Sequence, residues 1–150
     1  MFQSAFSKLL LDIMTHICSA VPEVRLVSRY VGQDQTAIRP SIASPTVLVD
    51  IDSANYENLA DGSQYVDLAT ISIRLLVDSY TSPAVTTKQI PKGLMEDFEL
   101  EKKLVDALHN WSPGEYCTPL IRTTAASENR HDINLRIRTI TFTTSFEEIA

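Results

Sequence analysis

The stretch Gln64–Asp78, QYVDLATISIRLLVD, carries the reading on which the fold turns. Val66 and Leu68 share one parity, whereas Ile71, Ile73, Leu75 and Val77 share the other. Side chains of a strand alternate between faces with a period of two. A change of parity therefore predicts an inserted residue, and the pattern places a bulge near Ala69. The segment Ile133–Phe146, INLRIRTITFTTSF, repeats the change. Ile133, Leu135 and Ile137 are odd, and Ile140, Phe142 and Phe146 are even. The same logic predicts a second bulge near Arg138 or Thr139. Two long bent strands imply a strongly curved sheet in which they pair with each other.

The remaining elements are arranged around these two. Phe2, Phe6, Leu9, Leu10, Ile13, Ile17 and Val21 recur at spacings of three and four, which predicts an amphipathic helix over Phe2–Val21 stopped by Pro22. Leu11, Met14 and Cys18 widen its apolar arc, as expected of a helix covered on more than one side. Val24–Tyr30 and Thr46–Ser53 read as strands, separated by a polar stretch from Val31 to Pro45. Ala54–Ser63 reads as a polar connection with an Asp61–Gly62 turn. A long loop, Ser79–Lys92, holds Pro83 and Pro91 and leads to a second helix over Gly93–Asn110, closed by Ser112-Pro113-Gly114. Leu120–Ser127 is a short strand that turns through Ser127–Asp132 into the last one. The predicted order is α-β-β-β-α-β-β. The fold class is α+β, a curved and mainly antiparallel sheet with two helices packed on one face. Residues 1–150 are expected to form one domain.

Composition narrows the function. The chain has 150 residues, 44% of them hydrophobic, with 13 Lys+Arg against 19 Asp+Glu for a net charge of −6. That is enough apolar material for a core and excludes a disordered chain. No apolar run approaches a membrane span, and no basic segment precedes the first apolar stretch, so neither a membrane anchor nor a signal peptide is expected. Net negative charge argues against a general nucleic-acid binder. Cys18 and Cys117 are isolated and read as free thiols. Gly32, Gly62, Gly93 and Gly114 are too dispersed to form a phosphate-binding loop.

A search for chemistry finds little. His16, His109 and His131 lack partners at metal-ligand spacing, and no nucleophile-elbow motif occurs. No cofactor or metal site is expected. Asp50 and Asp52 share a strand face and are the best acidic pair; a solvated strand face explains them without a cation, since no third ligand group is apparent. Glu101 falls inside the arc defined by Leu94, Phe98, Val105 and Leu108. A carboxylate there needs a partner, either Lys102 or Lys103 nearby or an arginine across an interface. Eight arginines outnumber five lysines. Arg136 and Arg138 share a strand face, Arg74 lies between Ile73 and Leu75, and Arg122 precedes the hairpin turn. These are either solvated sheet-face charges or a basic face that meets the acidic start of a neighbour's second helix, around Glu96 and Asp97. A head-to-tail contact of that kind can close into a ring. The candidate interface set is therefore Arg74, Glu96, Asp97, Glu101, Arg122, Arg136 and Arg138.

The segments FQSAFSKLLLDIMTHICSAVPEVR, IRPSIASPTVLVDID, YVDLATISIRLLVDS, LHNWSPGE and LRIRTITFTTSFEE, in this order, resemble the small tail-terminator and tail-completion (minor tail) proteins of tailed bacteriophages and prophages. The resemblance covers nearly the whole chain, and "RPSIASPTVLVDID" and "LHNWSPGE" are its most suggestive segments. It implies a structural protein and no catalytic residues or cofactor. It also implies a homo-oligomeric ring, on the family's pattern a hexamer, that caps the tail tube and joins it to the head connector. Partners would be tail-tube and head-connector proteins, with no membrane and no sequence-specific nucleic acid. The location would be the virion tail, assembled in the bacterial host cytoplasm. The loops Val31–Pro45 and Ser79–Lys92 would be contact elements. Two other classes stay open: a monomeric protein-binding adaptor, and a small cation-dependent hydrolase using Asp50 and Asp52.

Overall fold

A computed structural model describes residues 4–35, 43–80 and 82–148. Phe2, residues 36–42 of the polar stretch and Thr81 of the long loop lie outside the described residues. The elements are α1 (Ala5–Ala20), β1 (Leu26–Arg29), β2 (Thr46–Asn58), β3 (Gln64–Asp78), α2 (Glu96–Leu108), β4 (Ile121–Ser127) and β5 (Leu135–Glu148). Short 3-10 turns occupy Gln33–Gln35 and His131–Ile133. The order is the predicted one. The five strands form one sheet in the order β1-β2-β3-β5-β4, antiparallel except for the β1–β2 pair.

β3 is the centre of this sheet and is buried over most of its length. Its odd residues Ile71, Ile73, Leu75 and Val77 face both helices, where they meet Leu9, Ile13 and Ile17 of α1, Leu104 and Leu108 of α2, and Ile140 and Phe142 of β5. Leu76 points the other way, into a smaller cluster with Leu48, Ile133, Leu135 and Ile137. The bulge expected near Ala69 is present. Val66 faces Phe146 and Ala69 faces Thr144, so β3 carries one residue more than β5 in that interval.

The second bulge, expected near Arg138 or Thr139, is absent. β5 pairs with β3 without interruption from Leu135 to Thr144. Its change of parity is a change of buried face. Leu135 and Ile137 are covered by the smaller cluster, and Ile140, Phe142 and Phe146 by the helices. A strand covered on different faces at its two ends shows this pattern with no inserted residue.

β2 runs on to Asn58, through residues read as a polar connection. The long β3 supplies the ladder: Ala54 faces Ala69, and Tyr56 faces Val66. Backbone pairing holds these residues although most of their side chains are exposed. The hairpin closes at Leu59–Ser63, where Gly62 takes a φ of +88 and the Ser63 N–H donates to Asp61 Oδ1 at 3.0 Å.

α2 is rotated relative to its predicted stripe. Phe98 is half exposed, and Asp97, Leu100, Leu104 and Leu108 face inward. An acidic side chain occupies an inner position because an arginine of β5 meets it there.

Phe142 is fully buried between the sheet and the helices. Phe142→Ala is expected to lower unfolding stability by about 3–5 kcal/mol in a urea titration. A loss below about 1 kcal/mol would contradict the described core.

Candidate interaction surfaces

On the helix side of the sheet, two arginines of β5 reach the inner face of α2. The Arg138 Nε donates to Glu101 Oε1 at 2.9 Å, and its Nη2 donates to Oε2 at 3.3 Å. The two side chains keep only 15% and 13% of their surface exposed. The partner of Glu101 is thus an arginine of the same chain, not Lys102, which pairs with Asp106, nor Lys103, which pairs with Glu23. Arg136 Nη1 lies 3.6 Å from Asp97 Oδ1 and donates to the carbonyls of Gly93 and Leu94 at 3.2 and 3.0 Å. The guanidinium of Arg138 stands 5.1 Å from the centre of the Phe98 ring.

Arg74 lies on the opposite face, because it stands across from Thr139 whereas Leu75 stands across from Arg138. The structure therefore does not gather Arg74, Arg136 and Arg138 into one basic face. Arg74 Nη1 meets Glu128 at 2.5 Å and the buried Asp34 at 3.3 Å, and the guanidinium lies 4.6 Å from the centre of the Tyr30 ring. Tyr30 Oη donates to Asp34 Oδ1 at 2.8 Å, and Arg130 Nη1 donates to the Asp34 carbonyl at 2.8 Å. This network ties the turn at Gln33–Gln35 to β3 and to the β4–β5 connection. Burial raises the Tyr30 phenol above its ordinary range, and the Asp34 carboxylate adds to the shift.

Two members of the predicted interface set have no ion pair among the described residues. Glu96 lies in the first turn of α2 and Arg122 near the start of β4. Asp50 and Asp52 both attend Ser72: Asp50 stands across from it, and Asp52, the extra residue at a break in the β2–β3 register, accepts its hydroxyl at 3.1 Å. Asp50 also lies 3.7 Å from Arg29 Nε. No group of three His, Cys, Asp or Glu side chains suited to a metal ion occurs among the described residues. His16 stacks on Trp111, ring centres 4.0 Å apart, and its Nε2 donates to the Ala107 carbonyl at 2.9 Å, which joins α1 to α2. Both cysteines are free thiols.

Sequence reasoning missed the apolar content of the second long loop. Tyr80, Val85, Ile90, Met95 and Phe98 each expose about half or more of their surface, with Ile90 at 72%. They run from the end of β3 into the start of α2. Their signal was available as Tyr, Val and Ile lying between and beside Pro83 and Pro91, in a stretch where polar residues are usual. A second feature is a groove of about 330 Å³ along β2, lined by Phe6, Leu10, Arg29, Asp50, Ala54 and Tyr56 among others. No helix among the described residues is long and apolar enough to cross a membrane.

Glu101→Gln leaves Arg138 nearly enclosed without its counter-charge. The variant should lose roughly 2–3 kcal/mol of stability, somewhat less than for a fully buried pair, and Glu101→Gln with Arg138→Met should recover much of it. A single variant as stable as the parent would show that the pair is not formed. Stability should also fall in alkali. Burial raises the thiol of Cys117 and the phenols of Tyr30 and Tyr116, and Asp12, which accepts from Tyr116 Oη at 2.8 Å, raises Tyr116 further. Above pH ~9 the unfolded chain releases these protons first. It then binds fewer protons than the folded chain, so stability falls as pH rises. The melting temperature should drop between pH ~8 and ~11 by that account, first through Cys117, and Tyr116→Phe should reduce the part of the drop above pH ~10; a flat profile would refute it.

No protein-family model matches the chain, and no curated protein matches it. Among solved structures, a chain of one described as "Virion of native gene transfer agent (GTA) particle" is similar at 13% identity. The match covers 97% of this chain and 94% of that chain, with a TM-score of 0.48.

Proposed function

We propose that this chain is a structural protein of a tailed bacteriophage or prophage. In this reading a single domain self-assembles into a ring, of six copies on the pattern of tail terminators, and caps or joins the tail tube at the head–tail interface. Its work is contact and not catalysis. One observation carries the reading: the run of exposed apolar side chains from Tyr80 to Phe98. Patches of this kind mark protein–protein contact surfaces, and a long loop inside a compact fold usually binds something. The resemblance of the quoted segments to tail-terminator proteins supports the identity of the assembly. Glu96 and Arg122, which have no ion pair among the described residues, are the members of the candidate interface set available to groups of another copy. Arg74, Asp97, Glu101, Arg136 and Arg138 serve an interface by shaping it from within. Tail-tube and head-connector proteins would be the partners, and the virion tail, built in the host cytoplasm, the location. A net charge of −6 suits a passage through which DNA slides without sticking.

Light scattering after size exclusion tests this. A closed hexamer of the 16.7 kDa chain has a mass of about 100 kDa. Ile90→Asp with Met95→Asp should dissociate it without unfolding the chain. A 16.7 kDa species at every concentration, with and without tail-tube protein present, would reject the ring and favour a monomeric adaptor.

A further inference from the structure

Among the described residues the sheet ends in two edges that no further strand pairs along most of their length, although at the start of β4 the Arg122 N–H donates to His109 Nδ1 at 3.1 Å. β4 is the outermost strand on one side, seven residues long, with every side chain exposed. At the other side β1 covers β2 only from Thr46 to Val49. From Asp50 to Asn58, β2 has β3 on one side and no strand on the other among the described residues. The groove of about 330 Å³ runs along that uncovered edge, between β2 and the first turns of α1.

An open edge presents backbone N–H and C=O groups that a further strand satisfies. Proteins that stay monomeric blunt such edges with lysine or proline, and neither Thr124–Ser127 nor Ser53–Asn58 contains either. The edges carry opposite charge. Arg122 is the one charged residue of β4, whereas the uncovered part of β2 carries Asp52, Glu57 and Asp50, the last with Arg29 3.7 Å away. Pairing β4 with β4 would bring arginines together, and pairing β2 with β2 would bring carboxylates together. Only the unlike pairing is electrostatically favourable. Inserted residues lie at Thr123 in β4 and at Asp52 in β2; a further register break between Asn55 and Tyr56 comes from an extra residue in β3, so Thr124–Ser127 and Ser53–Asn58 themselves hold no inserted residue.

We infer that the outer edge of β4 in one copy pairs with the Asp50–Asn58 edge of β2 in the next, seated in the groove beside α1. The inference deepens the self-assembly proposed above and rests on it. Each copy then offers one donor edge and one acceptor edge, a head-to-tail contact that propagates and closes into a ring carrying one continuous sheet.

Disulfide mapping tests the contact in the full chain. Ala54 stands across from Ala69 and Ala125 across from Ile140, both in the helix-side core, so both alanines lie on the helix side of the sheet. Across a continuous sheet they come onto one face. With the exposed Cys18 replaced by serine, an isotopically labelled A54C chain is mixed with an unlabelled A125C chain, then oxidised and weighed. S127C replaces A125C in a parallel mixture to allow a shift of register. The mixed disulfide should dominate over both like-with-like products, and Arg122→Glu, which removes the one positive charge of the β4 edge, should reduce its yield. Oligomers by light scattering together with like-with-like disulfides, or with none, would overturn the edge contact and leave the ring reading standing. A monomer under all conditions, with and without tail-tube protein, would overturn both.

Discussion

β3 has almost no solvent side, and the rest of the structure follows from that constraint. Its odd residues form the floor on which both helices rest, and Leu76 belongs to the cluster on the other face. A slip of one residue against β2 or β5 would drive Arg74 into the helix-side core and send Leu75 out of it. Register along β3 is thus enforced from both faces. The bulge at its start is where the chain changes which parity it buries.

Charged side chains complete what apolar packing leaves undecided. Leucine and isoleucine on α2 bring the helix to the sheet, but a hydrophobic contact is non-directional and tolerates rotation. The bidentate Arg138–Glu101 pair and the Arg136–Asp97 contact select one rotation, with Asp97 inward and Phe98 at the margin. On the far face, Arg74 crosses to Asp34 and Glu128 and so holds a connecting turn against the sheet. These arginines occupy positions where an apolar residue would have given adhesion without orientation.

The same economy leaves particular surfaces without cover from the described residues. The segment from Tyr80 to Phe98, the outer edge of β4 and the uncovered edge of β2 all present groups that are seldom left to solvent alone. No constellation suited to metal chemistry accompanies them among the described residues. Asp50 and Asp52 sit beside Ser72 and Arg29, where neighbouring side chains account for both.

Periodicity alone determined the element order, the bulge before Ala69 and the two-helix, one-sheet architecture, because burial on one face imposes a repeat that a sequence displays directly. It misread β5, since a strand buried on alternate faces at its two ends and a strand with an inserted residue produce the same pattern. It could not extend β2 past Ser53, because the force holding Ser53–Asn58 is pairing with β3 and leaves no mark in side-chain polarity. The need of Glu101 for a basic partner was legible from its place on the helical wheel, with Lys102, Lys103 and an arginine across an interface all open. That the partner is an arginine, and Arg138 of the same chain, was decided only by the fold, which brings β5 beneath α2 across 37 residues. Ion pairs and open edges depend on distance in space, and local pattern carries no information about it.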